Sequence, residues 1–169
     1  MNPVLVIIRG NSGSGKTVLA NKVQEHFGCE QCLLLHQDEI RRDILHANDH
    51  QGTPAVGMIE TMITYGLEHY PITMIEGILR KDVYGDMLKN VAKPLGKQAL
   101  IYYLEIPFET TVAHDKTKRE PFGAEKLRSW WQEEDYLDEE DRIFHDGKTL
   151  NLAQHIITDI LKASSVMRH

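Results

Sequence analysis

The sequence predicts an α/β fold in which a parallel sheet is covered by helices on both faces. Three observations lead there. Short apolar runs alternate with longer stretches of helical periodicity. Within the runs, apolar residues follow one another without alternation, as in strands buried on both faces. A glycine-rich turn, Arg9 to Thr17, joins the first run directly to the first helical stretch.

Val4 to Ile8 is the first strand. A helix begins at Lys16 and continues through Asn21 to Phe27, where Gly28 stops it. Cys32 to Leu35 is the second strand, and Glu39 to Leu45 is helical. The turn-rich run NDHQGTP breaks the chain. Ala55 to His69 then forms a helix with Val56, Ile59, Ile63 and Leu67 on one face. Pro71 restarts the chain before a third strand, Ile72 to Ile75. Val83 to Val91 is helical and Ala99 to Ile106 is the fourth strand. A charged helical stretch runs from Phe108 to Trp131. Arg142 to Phe144 is a short fifth strand. Thr149 to Ala163 closes the chain as a helix carrying Leu152, Ile156, Ile157, Ile160 and Leu161. The acidic run QEEDYLDEED, Gln132 to Asp141, reads as a solvated surface segment.

A chain of 169 residues suits one compact domain, here taken as 1–169, and is short for two. With 41% hydrophobic and 26% charged residues it has a globular composition. No apolar run approaches the roughly 18–20 residues of a membrane span. The opening MNPVLVIIRG lacks a basic leader and a small-residue cleavage site, so a cytoplasmic location is the expectation. The net charge of −6 argues against an extended nucleic-acid partner, which would want excess Lys and Arg. The two cysteines form Cys29-Glu-Gln-Cys32. They could be a redox pair, or with His26 and His36 a zinc site, but reduced thiols at a helix end and a strand start are the reading preferred.

Gly10, Asn11, Ser12, Gly13, Ser14, Gly15, Lys16 and Thr17 fit G-x-x-x-x-G-K-[ST] at every fixed position. Glycines let the backbone curl so that several N–H groups face a polyphosphate, and the following helix adds its positive end. Lys16 reaches the β- and γ-phosphates, and the Thr17 hydroxyl is placed for Mg²⁺. The predicted ligand is therefore a nucleoside triphosphate.

Catalytic groups in open α/β sheets gather at the carboxyl ends of strands. Asp38 lies just past the second strand and could take a proton from an acceptor hydroxyl, or could cap the helix that follows. Arg41, one turn on, could orient Asp38 or hold a substrate phosphate. Glu76 ends the third strand, where a carboxylate serves Mg²⁺, its water or the acceptor, and Gly77 permits a close approach. Past the fourth strand come His114, Lys116, Lys118, Arg119 and Arg128. A mobile helix pair could bring such a cation to the transferred phosphate, with Arg119 and Arg128 preferred. Trp130 and Trp131 read as packing anchors.

With GNSGSGKT, the Asp38-x-x-Arg41 pair, MIEGIL and the passage from YYLEIPFETTVAHDKTK into FGAEKLRSWW, the chain resembles the P-loop kinases of the zeta toxin and polynucleotide kinase group. The resemblance runs from Pro3 to about Ala163. It implies a three-layer P-loop NTPase fold with a five-stranded parallel sheet and a helical lid at about 108–135. It also implies a kinase using ATP and Mg²⁺, with Asp38 as acceptor base and a lid arginine at the γ-phosphate. Related kinases often carry His-x-Thr-Arg in the lid; here the run is His114-Asp115-Lys116-Thr117-Lys118-Arg119. The expected activity is ATP-dependent phosphorylation of a hydroxyl on a small molecule or nucleotide sugar. The alternatives are a nucleoside or polynucleotide 5′-kinase, and a nucleotide-dependent switch that binds a protein partner. The sequence has no guanine-reading Asn-Lys-x-Asp pattern, which argues against a GTPase.

Overall fold

The computed structural model describes residues 2–145 and 148–165. Five strands form one sheet in the order β2-β3-β1-β4-β5, and every neighbouring pair is parallel. They are β1 (Val4–Gly10), β2 (Cys32–His36), β3 (Ile72–Gly77), β4 (Ala99–Leu104) and β5 (Arg142–Phe144). The helices are α1 (Lys16–Phe27), α2 (Ala55–His69), α3 (Lys81–Ala92), α4 (Phe108–Asp115), α5 (Ala124–Trp130) and α6 (Thr149–Ser165). A π-helical turn, Glu39–Ile44, follows β2, and a 3₁₀ segment, Lys93–Gln98, leads into β4.

Successive side chains of a strand face opposite ways, and β1 is buried along its whole length. Val4, Val6 and Ile8 pack with Leu19, Ala20 and Val23 of α1 and Ile156 and Ile160 of α6. Leu5 and Ile7 pack with Ile59 and Ile63 of α2 and Tyr84 and Leu88 of α3. The result is the predicted helix–sheet–helix sandwich. Each large aliphatic side chain buried in this way contributes roughly 1.5–3 kcal/mol relative to exposure, and β1 contributes such side chains to both halves of the core. Gly66 lets α2 lie hard against β3. A methyl group there would come within 2.4 Å of the Thr73 hydroxyl.

One expectation is refined and one corrected. The stretch from Phe108 to Trp131 is a pair of helices, as expected, divided where Pro121 and Gly123, with φ of 91°, end helical geometry. The Asp115 carboxylate closes the gap by accepting from the Phe122 and Gly123 amides at 3.0 and 2.8 Å.

The acidic run Gln132 to Asp141 is not merely solvated surface. Leu137 is fully buried among α2 and α3 residues, and Asp141 is buried, accepting from the Leu137 amide at 2.7 Å. The cause is Arg9. Its fully buried guanidinium donates to the Leu79 carbonyl at 2.8 and 3.0 Å, to the Asp135 carbonyl at 2.6 Å and to the Asp135 carboxylate at 3.0 Å. A cation this deep requires such partners, and the acidic run supplies them.

The two thiols occupy different settings. Cys29 is exposed, while Cys32 opens β2 inside the α1 core with its pKa pushed up to about 12 by burial, the nearby Cys29 adding to the shift.

Two predictions follow from this packing. Arg9→Leu leaves Asp135 and two carbonyls without their donor and should destabilise the fold by about 3–5 kcal/mol. Asp135→Asn, which retains an acceptor oxygen, should cost less. Urea unfolding of both variants measures this, and wild-type stability in Arg9→Leu would refute the clamp. Alkylation near pH 7.5 should label one thiol per native chain, at Cys29, because burial keeps Cys32 protonated. Mass spectrometry showing equal labelling of both would contradict the assignment.

Candidate active site

The turn between β1 and α1 is held by backbone that needs glycine. Gly15, at φ 94°, occupies the left-handed position immediately before α1. Gly13, at φ 80°, lies so close to α4 that an added methyl would sit 2.8 Å from the Thr111 carbonyl. On the far side His114 Nδ1 meets the Gly13 carbonyl at 2.7 Å. A carbonyl only accepts, so this nitrogen carries the proton. Helix α4 is thus stapled to the loop by contact and by hydrogen bond.

Lys16 is buried, and its ammonium donates to the Asn11 carbonyl at 2.8 Å and the Ser14 hydroxyl at 3.3 Å. Burial pulls its pKa below the ordinary lysine value, while the negative charges of Glu76 and Asp38 pull it back up. The Asn11 side chain turns to the segment after α5. It donates to the Gln132 carbonyl at 2.8 Å and accepts from the Gln132 amide at 2.9 Å.

Strand register sets the other wall. Ile8, Glu76 and His36 are direct neighbours across β1, β3 and β2. Ile8 faces α1, so the other two face it as well. Thr17, in the first turn of α1, donates its hydroxyl to Glu76 Oε1 at 3.1 Å. His36 Nδ1 lies 2.8 Å from the same oxygen. That hydrogen bond is the main reason the His36 pKa stands above its usual value, with burial opposing it. The next residues, Arg9 and Gly77, present the opposite face. There Gln37 passes so close to Gly77 that a methyl group would meet its amide oxygen at 2.4 Å. The close approach expected at Gly77 is therefore filled by the protein's own Gln37.

These walls enclose a cleft of about 400 Å³. Of the predicted residues, Ser12, Gly13, Gly15, Lys16, Thr17, Asp38, Glu76 and Gly77 line it. Gly10, Asn11 and Ser14 are buried beneath it. The Asp38 side chain is half exposed and makes no capping hydrogen bond, so the helix-cap alternative fails in this geometry. Arg41 stands outside the cleft lining. Its guanidinium donates to the Ala47 carbonyl at 3.1 Å and lies 3.7 Å from Asp38 and 3.8 Å from Asp49.

The two preferred lid arginines are not brought in. Arg119 is exposed on the turn between α4 and α5. Arg128 lies 3.6 Å from the centre of the Phe108 ring, beside Trp131, where the cation–aromatic attraction holds it. His114, Thr117, Lys118 and Phe122 line the cleft instead. Trp131 packs edge-on against Phe108, while Trp130 meets Phe122 edge-on with both rings exposed. Sequence reasoning missed His36, whose only signal was its place at a strand's carboxyl end, and Gln132, which had none.

A larger groove of about 930 Å³ lies along the amino-terminal half of β4, between α3 and α6. It contains none of the phosphate-loop residues, and ligands of such sheets bind at the carboxyl ends. The oxygens of Thr17 and Glu76, beside a buried ammonium and a loop whose backbone only glycine can follow, form a donor set that fits Mg²⁺ and a polyphosphate. Among the described residues no helix is long and apolar enough to cross a membrane.

The zeta toxin family model matches residues 1–66. A uridine kinase of Geobacillus sp. (strain WCH70) is 46% identical over 44 residues, covering 26% of this chain and 21% of that protein. This chain thus spans about a fifth of that relative's length. Over nearly the whole chain the fold is similar to two solved structures. One is a gluconokinase from Sinorhizobium meliloti 1021, with a TM-score of 0.68, 12% identity and coverage of 96% of this chain and 94% of that one. The other is the Mycobacterium tuberculosis APS kinase in complex with AMPPNP and APS, with a TM-score of 0.69, 15% identity and coverage of 95% and 98%. The fold is thus shared with these two solved kinase structures, and the match to the zeta toxin family model covers the segment that carries the Gly10–Thr17 loop.

Proposed function

We propose that the protein transfers the γ-phosphate of ATP to a hydroxyl of a small-molecule or nucleotide-sugar acceptor. The observation that carries this reading is the convergence of Lys16, Thr17, Glu76 and Asp38 on one cleft at the carboxyl edge of the sheet. The names of the similar proteins, kinases of different small molecules, support the class and leave the acceptor open.

The Gly10–Thr17 loop binds the polyphosphate through its amides, and Lys16 exchanges its bond to the Asn11 carbonyl for the β- and γ-phosphates. Thr17 and Glu76 would hold Mg²⁺, which neutralises phosphate charge when bound. Asp38 accepts the proton of the attacking hydroxyl. Arg41, anchored through the Ala47 carbonyl and 3.7 Å from Asp38, orients that carboxylate. Lys118, within the lid proposed at about 108–135, takes the role first expected of Arg119 and Arg128, since it lines the cleft.

Label transfer from γ-labelled ATP with Mg²⁺ tests the reading. The acceptors are nucleosides, sugars, nucleotide sugars and 5′-hydroxyl oligonucleotides. Transfer to a small molecule is expected. Hydrolysis alone, altered by a protein partner, would favour a switch. Lys16→Ala should abolish ATP use without lowering the melting temperature by more than a few degrees; wild-type turnover in that variant would end the phosphate-loop assignment. Asp38→Asn should slow transfer by ~10²–10⁴-fold and leave MgATP affinity nearly intact. An equal loss in both would move Asp38 to the metal side and make Glu76 the better base.

A further inference from the structure

Glu76 is held from two directions before any ligand arrives. Thr17 donates to Oε1 from α1 and His36 approaches the same oxygen from β2, at 3.1 and 2.8 Å. A carboxylate only accepts hydrogen bonds, so His36 Nδ1 carries the proton in this pair. Neither contact uses Oε2, yet Glu76 lines the cleft. Glutamate has free side-chain torsions, and Lys16 is a rival for its charge in the same cleft. Without a second donor, one hydroxyl would have to hold it.

We infer that His36 is a positioning residue, whose Nδ1–H fixes Glu76 so that its remaining oxygen and the Thr17 oxygen face the cation site together. The inference rests on the kinase reading above, in which these two residues hold Mg²⁺. Histidine suits the place for a geometric reason. The register opposes His36 to Glu76, and the ring is half-buried, so a short rigid donor reaches the carboxylate without crossing the cleft. Partners of this kind typically change metal affinity by ~10–100-fold.

The test measures binding of a non-hydrolysable ATP analogue by calorimetry, across a series of Mg²⁺ concentrations. His36→Leu should raise the Mg²⁺ needed for half-saturation by ~10–100-fold. Affinity for the analogue without Mg²⁺ should stay within about twofold, because the phosphate-loop amides and Lys16 are untouched. His36→Asn, whose amide nitrogen stands where Nδ1 stands, should restore most of the Mg²⁺ response. His36→Gln, whose amide reaches further out, should not. Unchanged Mg²⁺ dependence in His36→Leu, or no advantage of Asn over Leu, overturns the inference. Should the leucine variant fail to fold, the wild-type protein decides. Nitrogen NMR of the metal-free protein at alkaline pH should show His36 as the Nδ1–H tautomer, and the Nε2–H tautomer would refute the hydrogen bond. A wild-type protein whose nucleotide binding ignores Mg²⁺ also overturns the inference. One that binds MgATP tightly yet transfers to no acceptor overturns the kinase reading alone.

Discussion

A guanidinium with no solvent contact must find its hydrogen bonds inside the protein. Arg9 carries this demand at the carboxyl end of the central strand, and much of the site's architecture follows from meeting it. Its donors gather Leu79, just beyond β3, and Asp135, well past α5, onto one point. That brings Leu137 into the core beside α2 and α3 and lays Tyr136 edge-on against Tyr103. The segment from 132 to 141 is therefore part of the carboxyl edge of the sheet, and Asn11 meets it there.

Alternation along the strands divides the labour. Ile8, Glu76 and His36 point toward α1, and Glu76 of the three lines the cleft. Arg9, Gly77 and Gln37 belong to the row beyond. Gln37 bonds the Leu79 amide, the Tyr84 hydroxyl and Asp49. Two adjacent rows thus perform different tasks, one placing the Glu76 carboxylate in the cleft and one locking the loops that follow β1, β2 and β3. A one-residue slip of β3 would exchange them and place a carboxylate in the structural row.

Contiguous features were legible in the sequence. The loop from Gly10 to Thr17, the bounds of α1 and α2, and even the three-residue β5 followed from local signals such as Gly28 and Pro71. Features that depend on distant pairing were not. Glu76 could be named as a strand-end carboxylate, but His36 gains meaning only from the β2–β3 register, which no local pattern encodes. The acidic run looked solvated because its charge was visible and its cation, 126 positions away, was not. Arg128 looked like a phosphate ligand because a sequence shows charge and conceals the aromatic ring that engages it. Between Phe108 and Trp131 a pair of helices was expected, and Pro121 and Gly123 mark where they part.

The reciprocal bonds between Asn11 and Gln132 have a thermodynamic side. Through them the phosphate loop and the far end of the α4–α5 segment share one structural state, while His114 ties the near end to Gly13. Free-energy coupling between two sites is symmetric. Any ligand that favours this loop conformation therefore also favours the anchorage of both ends of the segment, and firmer anchorage favours the ligand in turn. The conformation of the eight-residue loop is thus held in part by a residue 121 positions away in the chain.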